Sequence, residues 1–82
     1  MNVYELADIL SDMYDNALAD EKTAMVHLFG IRYANIIREN NISIPEILKW
    51  TKLNNGSNIS KNYSPEINKG IKLAKYVIEK NK

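Results

Sequence analysis

The chain contains no cysteine, one histidine, and no apolar run close to the length of a membrane-spanning helix. Without cysteine, neither disulfides nor thiolate-held zinc can brace the fold. A bilayer span needs about 20 apolar residues in succession, so no membrane contact is expected. No apolar signal segment is visible, and we expect a cytoplasmic protein. At 82 residues the sequence predicts one domain, stabilised by helix packing or by self-association.

Residues suited to catalysis or metal binding are scarce. His27 is the single histidine, and one histidine cannot complete a ligand cluster. Asp8, Asp12 and Asp15 share one helical face, but no base is paired with them. The three glycines are isolated from one another, so the chain has no glycine-rich phosphate loop. We therefore expect no enzyme, no cofactor and no metal.

What the sequence does contain is a division of charge. Residues 1–41 carry three basic and seven acidic side chains, a net charge of −4. Residues 42–82 carry eight lysines and three glutamates, a net charge of +5. A basic half is typical of a nucleic-acid-binding surface, because phosphate neutralisation supplies much of the affinity.

An amphipathic first helix is predicted from Val3 to about Ala17, with apolar residues at intervals of three and four. Asn2 followed by Glu5 has the form of a capping box that begins this helix. Acidic residues fall on the opposite side. That stripe is either a solvated face or a contact for a basic partner, for which Asp8 and Asp12 are the candidate residues.

A second helix is predicted from an N-cap at Asp20 to about Asn40. One broad apolar face makes it the central core element; its residues are Met25, Val26, Phe29, Tyr33, Ile36 and Ile37. Gly30 lies at the edge of that face, where a missing side chain lets a neighbouring helix approach closely. The outer side is predicted to hold His27, Ile31, Ala34, Asn35 and Arg38. An exposed Ile31 is a candidate contact for a partner or a second copy.

Two further helix starts are marked by serine, proline and glutamate. Ser43 with Glu46 has the spacing of a capping box, and it predicts a short third helix from Ile44 to Leu53 with Trp50 in a packing role. Ser64 is the predicted cap of a fourth helix whose first residue is Pro65. The buried stripe of that fourth stretch is predicted to be Ile67, Ile71, Ala74, Val77 and Ile78.

The fold class predicted by these signals is all-α with four helices, or five if Gly70 ends one helix and a new one begins at Ile71. A helical hairpin over residues 1–41 precedes residues 42–82. The loop over residues 54–62 is polar except for Ile59, which we expect to anchor it to the core.

Two helices joined by a turn with glycine, the second basic on its outer side, are typical of a helix-turn-helix. In that motif the first helix crosses the phosphate backbone and holds the second in the major groove. The predicted DNA-binding residues lie on the second helix and just before it; they are Lys61, Asn62, Tyr63, Ser64, Asn68, Lys69, Lys72 and Lys75.

The sequence YSPEINKG at residues 63–70 resembles the recognition-helix end of phage-repressor-type helix-turn-helix domains. MVHLFGIRYA at residues 25–34, the Ile44 to Leu53 helix and KGIKLAKYV at residues 69–77 are similar to small prokaryotic proteins described as helix-turn-helix-like. The resemblance spans most of the chain and implies DNA binding by fold.

Two functions remain open at this point. The first is a small regulator that binds duplex DNA through residues 63–75, expected to act as a dimer because one short helix contacts few bases. The second is a protein-interaction module, such as an accessory subunit, an antitoxin or a mobile-element antagonist of a defence system. The acidic first helix, Ile31 and the long turn before Tyr63 favour the second.

Overall fold

The computed structural model describes residues 1–77, which form four α-helices and one 3-10 turn. Helix α1 spans Val3–Asp15, α2 spans Lys22–Glu39, α3 spans Ile44–Trp50 and α4 spans Ser64–Leu73; the 3-10 turn covers Lys61–Tyr63. The described residues contain no β-strand, and the single antiparallel bridge among them joins Lys52 to Asn58. The predicted all-α fold with four helices is confirmed.

The starts of α1 and α3 agree with the sequence signals. The Asn2 side chain accepts a hydrogen bond of 2.9 Å from the Glu5 backbone N–H, and the Glu5 carboxylate accepts one of 3.0 Å from the Asn2 N–H. At α3 the Ser43 hydroxyl accepts from the Glu46 N–H at 3.4 Å. Both caps satisfy N–H groups that the first helical turn leaves without a partner.

The starts of α2 and α4 differ from the sequence predictions. Asp20 does not cap α2, because the chain first makes a turn in which the Glu21 N–H donates to the Leu18 carbonyl, and Glu21 is the N-cap. Ser64 does not cap α4; it is already helical, and Ser60 caps the preceding 3-10 turn by accepting from the Asn62 N–H at 3.1 Å.

The ends of the helices also fall earlier than predicted. Helix α1 ends at Asp15 instead of Ala17, and α3 ends at Trp50 instead of Leu53. Helix α4 continues through Gly70 without a break and ends at Leu73. Val77 lies beyond that end and is exposed, so its predicted burial is wrong. Ile78 lies outside the described residues.

All four helices contribute to one apolar core. The side chains with no exposed surface include Leu6 and Leu10 of α1, Val26 and Phe29 of α2, Ile47 of α3 and Ile67 of α4. Ile59 is also buried among them, which confirms that it anchors the loop between α3 and α4. Burying a side chain of this size contributes about 1.5–3 kcal/mol, which stabilises the packed position of the loop.

Helices α2 and α4 cross in backbone contact. A Cβ added to Gly30 would overlap the Ile67 carbonyl oxygen and lie 3.1 Å from the Gly70 Cα. A Cβ added to Gly70 would overlap the His27 carbonyl oxygen. The sequence prediction that a helix approaches closely at Gly30 is confirmed, and the partner at the crossing is a second glycine.

The side of α2 that was predicted to face outward is covered only in part: Asn35 and Arg38 are exposed as predicted. Ala34 is buried, and His27 and Ile31 are half-buried. The prediction of an exposed Ile31 is wrong, because a helix pattern shows where apolar residues lie but not that a second helix covers the polar edge.

Candidate nucleic-acid interface

Helix α4 and the 3-10 turn before it carry the predicted DNA-binding residues except Lys75, which lies just after the end of α4. Side chains of α1 and α2 contact this segment at three positions along its length. At the N-terminal level, the Tyr63 hydroxyl lies 3.3 Å from the Tyr14 hydroxyl of α1, within hydrogen-bond distance. The two rings also meet edge to face with centroids 5.5 Å apart. The hydrogen bond with Tyr63, together with burial, raises the pKa of Tyr14 to about 12.

At the middle level, His27 of α2 binds Glu66 of α4. The His27 Nε2–H donates to the Glu66 Oε1 at 2.6 Å. This hydrogen bond, assisted by the charge of Lys69 3.7 Å away, lowers the pKa of Glu66 below its usual 4.5. Glu66 is therefore a carboxylate at neutral pH, and it is held on the α2 side of α4 beside the glycine crossing.

At the C-terminal level, Arg38 of α2 reaches the end of α4. Its guanidinium donates to the Ile71 carbonyl oxygen at 2.9 Å. The last carbonyls of a helix lack partners within the helix and carry partial negative charge, so an arginine is favourable there. Arg38 and Ser60 both help to position the candidate site although the sequence analysis assigned them no such role. The sequence signal that could have identified Ser60 as a cap is its residue type, because serine is a favoured N-cap.

The outward side of α4 is polar. At ~100° per residue, Asn68, Lys69 and Lys72 fall on the side opposite the buried Ile67. The predicted site residues that the structure leaves exposed are Lys61, Asn62, Asn68, Lys69, Lys72 and Lys75. Tyr63 and Ser64 are half-buried, because the Tyr63 ring packs against the core and Ser64 opens the helix.

The electrostatics of this surface are one-sided. Residues 61–77 contain four lysines and one acidic residue, Glu66, a net charge of +3. The Lys69 ammonium lies 3.7 Å from the Glu66 carboxylate, which neutralises part of its charge. Lys72 and Lys75 are exposed. In the acidic half of the sequence, Asp8 and Asp12 of α1 are exposed. Asp15 is engaged, accepting a hydrogen bond of 2.9 Å from the Asn54 N–H.

The turn between α3 and α4 is long, but it is ordered by packing and backbone hydrogen bonds. The Ile59 N–H donates to the Thr51 carbonyl at 3.1 Å, and the Leu53 N–H donates to the Ser57 carbonyl at 2.8 Å. Thr51 is buried and its hydroxyl donates to the Ile47 carbonyl at 2.6 Å. The turn thus connects α3 to α4 as a packed segment and not as a loose loop.

Trp50 has a packing role, as the sequence predicted. Its indole N–H donates to Glu46 at 3.1 Å, and its ring meets the Tyr4 ring edge to face with centroids 5.2 Å apart. The ring contact holds the C-terminal end of α3 on α1, and the hydrogen bond, which lies within α3, orients the indole. Helix α3 therefore packs mainly on α1, while α4 packs mainly on α2.

The match to a family model decides how this arrangement is classified. Residues 2–80 match the model of a family described as an HTH-like domain. The chain belongs to the HTH-like domain family. Helix-turn-helix domains are the kind of domain that DNA-binding regulators use, which agrees with a basic α4 held by the remaining helices. No curated protein and no solved structure matches this HTH-like chain significantly.

Metal clusters and membrane-spanning helices are both absent from the described part of the HTH-like domain. Among residues 1–77, no group of three or more histidine, cysteine or acidic side chains is arranged to hold a metal ion. Within the same residues, no helix is both long and apolar enough to cross a bilayer.

Proposed function

We propose that this HTH-like protein is a non-catalytic DNA-binding protein, a transcriptional regulator that binds duplex DNA through the exposed side of α4 and the 3-10 turn. The observation that carries the proposal is a polar, lysine-rich helix face on a helix held by α1 and α2. Such a face meets DNA without a rearrangement of the core, because its side chains make few contacts within the protein.

The two kinds of side chain on this face have different proposed roles. The lysines neutralise phosphates, which supplies affinity without sequence preference. The carboxamides of Asn62 and Asn68 read base edges, for which adenine N6 and N7 offer a matching pair of groups. The Asn68 amide donates to the Ser64 carbonyl at 3.2 Å, so base reading requires it to exchange this bond for one to the base.

We also propose that the regulator binds as a dimer. One short helix contacts only a few base pairs, and two copies on a two-fold symmetric site double the contacts. Exposed apolar side chains at the end of α4, Leu73, Tyr76 and Val77, offer surface for contact between the copies.

The experiment that tests DNA binding is a titration of a random-sequence duplex pool at several salt concentrations. Four lysines on phosphates predict that the logarithm of the affinity falls with the logarithm of salt with a slope of about −4. Light scattering of the complex then gives the number of copies bound. Absent binding, or affinity that does not change with salt, contradicts the proposal.

A second candidate function is recognition of a basic protein partner through the acidic side of α1. The observation in its favour is that Asp8 and Asp12 are both exposed and belong to the acidic half of the sequence. An affinity purification that recovers one stoichiometric partner, with binding lost in the double variant Asp8→Lys, Asp12→Lys, supports this candidate. A complex that survives the charge reversal contradicts it.

A further inference from the structure

A groove lies between α3 and the N-terminal end of α4, and the DNA-binding proposal does not account for it. The groove has a volume of about 600 Å³. Pockets that bind small molecules are commonly about 300–1,000 Å³, so this groove has room for a compact ring system. Its lining comes from α3, from the turn that follows α3, and from the start of α4.

The floor of the groove is apolar. Leu48 of α3 and Ile59 of the turn are both 3% exposed, and Pro45 lies beside them. The Asn58 amide donates to the Lys49 carbonyl at 2.6 Å, which fixes the turn against α3. The floor is consequently formed before any ligand arrives, and a bound ring would gain burial without ordering a loop.

The rim of the groove is basic on two sides. Lys49 of α3 and Lys61 of the 3-10 turn both line the groove. The Lys49 ammonium lies 5.4 Å from the centroid of the Trp50 ring, so its charge stands at the α3 edge of the rim. The hydroxyls of Ser43 and Ser64 also line it. Glu46 is the acidic residue of the lining, and its carboxylate accepts a hydrogen bond from the Trp50 indole N–H, so the lining keeps a net charge of +1.

We propose that this groove binds a small organic anion that carries an apolar ring, of the aromatic carboxylate or sulfonate class. The ring would lie on Leu48, Pro45 and Ile59, and the anionic group would pair with Lys49 and Lys61. A neutral ring would gain only the apolar contacts, and a hydrated inorganic anion only the charges. The combination of a preformed apolar floor with two lysines selects a ligand that has both parts.

Occupancy of the groove has a consequence for DNA binding, and this consequence rests on the proposed function. Lys61 and Ser64 belong both to the groove and to the proposed DNA surface. An anion paired with Lys61 removes one phosphate contact, so the bound ligand lowers the affinity for duplex DNA.

The test uses the full chain and naphthalene-2-sulfonate as the probe, followed by backbone amide NMR spectra. We expect the largest shift changes at Asn58, Ile59 and Lys61. The variants Lys49→Gln and Lys61→Gln each weaken binding roughly two- to fivefold, as expected for an exposed charge pair. Lys52→Gln, which removes a lysine of the same region outside the groove lining, is the matched control and leaves binding unchanged.

Three results overturn the inference. These are shift changes confined to the exposed apolar residues at the end of α4, equal binding of the neutral analogue naphthalene, and equal binding by the wild type and both lysine variants. Each result is independent of DNA. A protein that binds the probe in the groove but no duplex refutes the proposed function alone, and one that binds duplex but not the probe refutes this inference alone.

Discussion

Gly30 and Gly70 face each other where α2 crosses α4, so closely that a Cβ on Gly70 would lie 3.0 Å from the Gly30 Cα. Backbone contact at this point sets the distance between the two helices. Since α4 carries the exposed lysines, the glycine pair determines where the candidate DNA-binding face lies relative to the core. The first prediction follows from this contact.

Replacement of either glycine by alanine is predicted to destabilise the fold. The added methyl group meets backbone atoms, which cannot rotate away as a side chain can, so the helices must separate at a cost of about 1–3 kcal/mol. The gain in helix propensity, about 1 kcal/mol, offsets part of this. Urea unfolding followed by circular dichroism measures the difference, and Asn35→Ala on the exposed part of α2 is the control. Unchanged stability in both glycine variants would contradict the close crossing.

The His27–Glu66 hydrogen bond predicts a stability contribution that depends on pH. Folding lowers the pKa of Glu66, so the contribution is present above the usual value of 4.5 and is lost as the pH falls through the lowered folded value. Thermal unfolding of the wild type and of Glu66→Gln is therefore expected to differ at pH 6 and to converge as the pH falls below the usual value of 4.5. Glu39→Gln, at the end of α2, is the control. A difference that is the same at every pH would refute the prediction.

The contact between Tyr14 and Tyr63 predicts a change in phenol ionisation. The pKa of Tyr14 is raised to about 12, first by the hydrogen bond with Tyr63. In Tyr63→Phe the ring stays but the hydroxyl is lost, so we expect the pKa of Tyr14 to fall toward 10. In an ultraviolet absorbance titration, this change appears as the loss of the tyrosine ionisation step at the highest pH. Tyr76→Phe, which removes a largely exposed tyrosine, is expected to leave that high-pH component in place.

Single lysine variants are predicted to change the salt dependence of DNA binding by different amounts. Lys72→Ala is expected to reduce the magnitude of the slope by about 1, because it removes one phosphate contact. Lys69→Ala is expected to reduce it by less, because Glu66 lies 3.7 Å from the Lys69 ammonium and neutralises part of its charge. Lys52→Ala, outside α4, serves as the control with an unchanged slope. Equal slopes for the wild type and Lys72→Ala would contradict the proposed DNA surface.

Two serines near the start of α4 are predicted to differ in their effect on stability. Ser60→Ala removes the hydroxyl that caps the 3-10 turn, at a cost of about 1 kcal/mol. Ser64→Ala is expected to cost less, since Ser64 makes no cap and alanine is favourable in a helix. Chemical unfolding of the two variants measures the order, and the reverse order would favour Ser64 as the cap.

Of the four helix caps predicted from the sequence, the structure has those at Asn2 and Ser43 and lacks those at Asp20 and Ser64. Asn2 with Glu5 and Ser43 with Glu46 were assigned correctly, because each cap depends on atoms three residues apart and on little else. Ser64 also precedes a proline and was assigned wrongly. The core buries Ile59 and holds the Tyr63 ring, so the chain enters the helix through an earlier turn capped at Ser60.

The candidate site was predictable in composition but not in arrangement. The lysines of residues 61–75 were visible as an outward stripe in the sequence, and the structure leaves each of them exposed. The contacts that hold α4, from Tyr14, His27 and Arg38, join residues more than 30 positions apart. A pattern within one helix carries no information on such pairs, which is also why Ile31 was expected to be exposed.

By itself the sequence determined the all-α class, the caps at Asn2 and Ser43, and the separation of acidic from basic residues. These features depend on periodicity and on contacts within a few residues. Only the tertiary structure decided that α4 packs on α2 through Gly30 and Gly70, that Gly70 lies within a continuous helix, and that Ser60 and not Ser64 is the cap. The physical reason is that each of these depends on what a distant segment places against the backbone.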